Sequence, residues 1–211
     1  MQVVILTRSA MHGANCVATV DSITGEFKRL VKRAGKTTVP LDDQDLYSVN
    51  THLSCDPLDL VEISILEERP HNHQSENVVI DTKAGMKLIR PISLNELQRI
   101  HPPESNEIGL LATTAPKVSI SDISSYQYSL ELRRVSNLMI EGHKSPKAEF
   151  SYSGRHYRRF SVTDTKYYRL REGERVNIGD ALVVFSLAEE PYDDGRSELA
   201  YYKFLAAIYP V

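Results

Sequence analysis

The chain has 211 residues and a mass of 23.8 kDa, with 41% hydrophobic and 25% charged residues, the balance of a globular protein of one or two domains. Two cysteines, Cys16 and Cys55, exclude a disulfide scaffold, and no run approaches the ~20 apolar residues of a membrane span. The formal charge of −3 hides a segregation: residues 28–36 hold five cations and no acid, and residues 42–62 hold six acids and no cation. Net acidity therefore leaves room for one basic face.

In chain order, residues 3–6 (VVIL) read as a buried strand that ends at a loop around Gly13. Residues 16–21 form a second strand, residues 22–25 a turn closed by Gly25, and residues 26–31 a third strand. On it Phe27, Arg29 and Val31 share one face, while Lys28, Leu30 and Lys32 share the other. The acidic stretch 41–56 is irregular, bounded by Pro40 and Pro57. Residues 58–66 and 77–81 read as strands around a polar loop at 69–76. Ser93 and Glu96 make a capping box for a helix carrying Leu94, Leu97 and Ile100, which Pro102 and Pro103 stop.

In the second half, residues 108–120 connect to a strand at 128–135, on which Leu130 and Leu132 share a face. Residues 150–160 form a hairpin turning on Ser153 and Gly154, where glycine suits positive φ. A buried strand at 181–187, an acidic turn at 189–196 and a last strand at 199–208 complete the chain. Short strands on both sides of one midpoint helix predict a mainly β protein. Two small barrels, at 1–103 and 104–211, use the length well, because closure removes sheet edges.

The densest chemistry lies at residues 155–171, with six Lys or Arg, one acid (Asp164) and four Tyr or Phe. Such a run suits phosphate by charge and bases by stacking on Tyr157, Tyr167 or Tyr168, and equally suits a solvated strand face. His71 and His73 have a metal-binding spacing, but in a loop without a third ligand they read as solvated. His52 and Cys55 lack any group to orient the imidazole. Gln74, Glu76 and Asn77 read as loop-fixing or ligand-touching polar groups. Thr7 and Ser9 read as backbone caps and Asp164 as a turn cap. No nucleotide-binding or zinc-hydrolase motif occurs, so neither an enzyme nor a cofactor is expected.

Several stretches together carry a family resemblance: VVILTRS at 3–9, CVA at 16–18, TGEFKRLV at 24–31, QSEN at 74–77, YRRFSVTD at 157–164, FSLAEEPY at 185–192 and KFLAAI at 203–208. The set resembles the dual OB-fold domain family of prokaryotic defence and conflict-system proteins, and spans nearly the whole chain. Where that family more often has tryptophan, this chain has Phe27. The resemblance implies two consecutive OB-like barrels and a non-catalytic module recognising nucleic acid, expected to be single-stranded, while the two thiols and the short apolar run at the start lead us to expect a cytoplasmic protein. Lys28, Arg29 and Lys32 are its expected contacts in the first barrel. Arg155, Tyr157, Arg158, Arg159 and Tyr168 are those in the second. The competing expectation is an adaptor that docks an effector protein through its acidic loops, or masks its basic strands with them.

Overall fold

A computed structural model describes residues 1–11, 14–105, 110–111, 113–193 and 199–211, with Ala10 and Met11 as backbone only. The predicted loop glycine Gly13, Ile108 and Gly109 of the connector, and residues 194–196 of the acidic turn lie outside them. The chain divides into two compact units, residues 1–71 with 75–102, and residues 72–74 with 103–211. No described helix is long and apolar enough to cross a membrane.

The first unit opens with β1 (Gln2–Ile5), β2 (Ser9–Met11), β3 (Ala14–Asp21), β4 (Phe27–Ala34) and β5 (Thr37–Val39). It continues with β6 (Asp59–Glu62), β7 (Ile65–Glu68), β8 (Asn77–Ile80) and β9 (Lys87–Pro91), and ends in α1 (Leu94–Ile100). The strand expected at 58–66 is thus β6 and β7, two pieces with different partners. Strand β6 pairs with β1, and β7 pairs with β8. Antiparallel β1–β3 and β3–β4 pairs and a parallel β4–β8 pair complete a ring, whose third and last strands run in the same direction. Alternate residues point inward along each strand, so Val3, Ile5, Val17, Leu30, Val61, Val78 and Ile80 fill the barrel. Ser93 caps α1 by accepting from Glu96 N, as the sequence predicts.

The second unit repeats this plan with longer strands: β10 (Lys117–Ser119), β11 (Leu130–Glu141), β12 (Lys147–Tyr152), β13 (Arg155–Val162), β14 (Arg175–Leu187) and β15 (Ala200–Pro210). The ring runs β11–β12–β13–β15–β14 and back to β11, with β13–β15 its parallel pair. The β12–β13 hairpin turns on Ser153 and Gly154 at φ +48° and +72°, the pair of left-handed residues that matches strand twist. Phe150 is the hub of the core, with Tyr157, Phe160 and Phe185 centred 5.2, 5.3 and 5.6 Å away. His73, which joins this unit, is buried rather than solvated; its Nε2 lies 2.7 Å from Ala188 O and its ring meets Tyr201 edge-on.

One end of this core is ionic. Arg133 and Glu131 are fully buried and joined at 3.0 Å (Nε to Oε2) and 2.8 Å (Nη2 to Oε1), the second contact being ionic without hydrogen-bond alignment. Arg133, not Leu132, shares the inward face of β11 with Val135, and its guanidinium donates to Tyr152 Oη at 3.2 Å. The expected apolar face of Leu130 and Leu132 is therefore the outer one, though both side chains are buried there.

Lys203 on β15 is also fully buried, and its Nζ reaches Leu110 O (2.5 Å), Thr113 O (3.1 Å) and Thr113 Oγ1 (2.6 Å). Burial outweighs the attraction of Glu131 and pushes this amine down to about 7. An unfolded lysine keeps its proton to about pH 10.4. Above pH 7 the unfolded chain thus binds more protons than the folded one, so stability rises with pH. Opposing losses begin near pH 9, because burial raises Cys55 to about 11 and Tyr128 to about 12. The melting temperature is expected to climb between pH 7 and about pH 9 and then fall. In K203M the climb should vanish; a scan with an unchanged climb would assign it elsewhere.

Candidate nucleic-acid interface

Strand β13 alternates until Tyr157 and then breaks step. Phe150 faces Tyr157 and Ala148 faces Phe160, so Glu149 alone on β12 opposes both Arg158 and Arg159. This is a β-bulge, and its second residue, Arg159, sits at φ +61°, in the left-handed region that costs a non-glycine residue about 1–2 kcal/mol. Strict alternation would have turned Arg159 into the core. The bulge instead exposes two consecutive arginines and returns Phe160 inward.

Arg155, at the hairpin end of the strand, is exposed as well. The register carries the outer face across three strands, with Ser136, Ser151 and His156 in one row. Arg134 lies two residues along β11 on the same face and is exposed. Arg134, Arg155, Arg158 and Arg159 have no ion-pair partner among the described residues. Glu149 is the nearby acid, its Oε2 3.6 Å from His156 Nε2, an ion pair only when the imidazole is protonated. Lys147 Nζ, at the far end, donates to Ser161 Oγ at 2.7 Å.

The turn after β13 begins with Asp164, whose carboxylate accepts from Lys166 N and Ile208 N, so the residue acts as the expected cap. Tyr168 on this turn is 41% exposed. Tyr167 packs against the core, and Lys166 Nζ stands 5.3 Å from the centre of the Tyr209 ring. Arg169 and Arg171 are exposed. Gly142 lets the 170–174 segment close in: a Cβ there would stand 2.0 Å from Arg171 O.

The cations of the first barrel are placed differently. Lys32 Nζ is held by Asp42 (2.5 Å) and Asp45 (2.6 Å). Burial opposes its charge, but these hydrogen bonds outweigh it and leave its pKa raised. Lys28 Nζ lies between Glu26 (3.4 Å) and Glu68 (3.6 Å). One cation with two carboxylates leaves each of these clusters at a formal −1. Arg29 is buried, its Nη1 2.6 Å from Cys16 Sγ and its Nη2 3.6 Å from Glu76. The QSEN stretch thus supplies the counter-charge of Arg29. Arg33 and Arg69 flank Glu67 at 2.9 and 3.7 Å.

Of the eight residues expected to touch nucleic acid, the fold therefore leaves Arg155, Arg158, Arg159 and Tyr168 in the open and engages Lys28 and Lys32 with acids. Arg29 and Tyr157 are buried, so neither is placed to meet a ligand. Tyr157 stacks on Phe150 at an interplanar angle of 5°. Arg134 is the exposed cation that the sequence reading missed. Its signal was the Arg133–Arg134 pair, of which a strand must turn one outward. The His52–Cys55 idea finds no support in the thiol, which burial and the nearby Asp59 push up to about 11. No cluster of three metal-ligating side chains occurs among the described residues. Thr7 Oγ1 bonds the backbone of Cys16 and Ala18, as a cap does.

No curated protein sequence matches the chain. Among solved structures it is similar to a murine DNA-binding protein bound with double-stranded DNA, at 9% identity and a TM-score of 0.35, over 100% of this chain and 98% of that one. It is also similar to the tetrameric p202 HIN2, at 9% identity and a TM-score of 0.31, over 99% of this chain and 89% of that one. Likenesses this distant establish nothing about a ligand. Residues 1–208 match a family described as the dual OB-containing domain, in agreement with the two closed rings, and the chain belongs to that family.

Proposed function

We propose that this protein is a non-catalytic nucleic-acid-binding module whose contact surface is the outer face of the second barrel, centred on Arg158 and Arg159. The observation that carries this reading is the bulge: two adjacent arginines without acid partners, pushed outward at the expense of a left-handed residue. Strained backbone persists where the surroundings over-determine it, and such positions cluster at ligand sites. Lys28 and Lys32, the lysines expected to make contacts in the first barrel, are already neutralised by carboxylates, so their strand is the poorer match for a polyanion. Asp42 and Asp45 are likewise committed to Lys32 rather than offered to a protein partner. We propose further, on the family resemblance only, a place in phage defence with an effector protein beside it.

The test is fluorescence anisotropy with labelled DNA and RNA oligomers at about 50 and about 200 mM salt. Binding is expected at the lower concentration and a steep loss at the higher, because each phosphate contact releases condensed counterions. Absence of binding at about 50 mM overturns the proposal.

A further inference from the structure

Nucleic-acid modules that grip single strands do so by stacking bases on exposed rings above a charged groove. The outer face of β12 and β13 has the charge without an exposed tyrosine or phenylalanine; the imidazole of His156 is its one open ring among the described residues. The tyrosines and phenylalanines of β13 are Tyr157 and Phe160, those of β12 Phe150 and Tyr152, and all four are buried. Their mutual contacts, 5.2 Å for Phe150–Tyr157 and 5.8 Å for Tyr157–Phe160, fix them as one core cluster.

The outer face offers something else. Across β11, β12 and β13 the register brings Ser136, Ser151 and His156 into a row, with Arg134 two residues along β11 on one side of it and Arg158 and Arg159 along β13 on the other, opposite Glu149. These are hydroxyl, imidazole and guanidinium donors, the chemistry that meets phosphate oxygens. Tyr168, an exposed phenol, belongs to the turn after β13 and to none of these three strands.

Resting on the nucleic-acid reading above, we infer that the second barrel recognises the phosphodiester backbone alone and is blind to the bases. A single strand, a duplex and a backbone stripped of bases would then be comparable ligands. This revises the expectation of single-strand selectivity, which depended on stacking at Tyr157 and Tyr167, packed in or against the core, and at Tyr168, on the turn beyond the strand.

The experiment uses the full chain at about 50 mM salt with three labelled probes of about 16 units: oligothymidylate, an abasic phosphodiester of the same length, and a duplex. The abasic probe is expected to bind within about twofold of oligothymidylate, and the duplex at least as well, since its phosphates are denser. Y168A is expected to leave all three affinities unchanged. A stacked base would instead weaken the abasic probe by about fivefold or more. That result, or a Y168A defect confined to oligothymidylate, overturns the inference while the nucleic-acid reading stands. If no probe binds, both fall.

Discussion

The double charge reversal R158E/R159E is expected to lower affinity for a DNA oligomer at least about a hundredfold, at an unchanged melting temperature. Each arginine–phosphate contact is a hydrogen bond between charged groups, worth about 1.5–3 kcal/mol or roughly tenfold or more. Two are removed together and replaced by repulsion. The slope of log affinity against log salt should also become shallower by about 1.8, two phosphate contacts at ~0.9 each. Neutralising the first barrel with K28Q/K32Q should change affinity less than about twofold, because those lysines already face Glu26, Glu68, Asp42 and Asp45. A single R159G variant separates binding from folding. Glycine accepts the +61° φ without penalty, so the fold should gain about 1 kcal/mol while binding loses one contact. If R158E/R159E binds like the wild type, the second-barrel surface is not the site.

The largest loss of stability is expected at the buried ion pair. E131A should cost about 3–5 kcal/mol in urea denaturation, because it leaves the Arg133 guanidinium charged inside the barrel. Leu111 N and the Tyr128 hydroxyl would lose their acceptor as well, at 2.7 and 3.1 Å in the intact protein. The double variant E131L/R133M removes both charges and should recover most of that loss, since well-packed apolar replacements of buried pairs are often neutral. If E131A costs less than about 1 kcal/mol, then water reaches this end of the barrel and the pair is not a core element.

The two barrels were legible from the sequence because their signals are local. The Ser153–Gly154 turn, the Ser93 cap and the apolar alternation of each strand depend on neighbours a few residues away. What escaped depended on distant or two-strand geometry. Arg29 finds its counter-ion 47 residues later, at Glu76, so its burial could not be read from its own strand. The bulge at Arg158 and Arg159 exists only relative to Glu149 on β12. Without it, strict alternation sets Arg155, Tyr157 and Arg159 on one face and Arg158 alone on the other. Strand β11 misled in the opposite sense: its inward face carries Glu131 and Arg133, so leucines marked the wrong side. Nothing in the local run of Lys203 announces that Leu110 and Thr113 close over it. Charge composition thus located the basic segments, and tertiary pairing decided which stayed free.

The most direct measurement is a two-dimensional amide NMR titration of the full chain with an unlabelled oligomer at about 50 mM salt. The shifts are expected to concentrate on residues 155–161, with neighbours at Arg134 and Ser151, while residues 27–34 stay in place. Shifts concentrated on residues 27–34, with β13 unmoved, would contradict it.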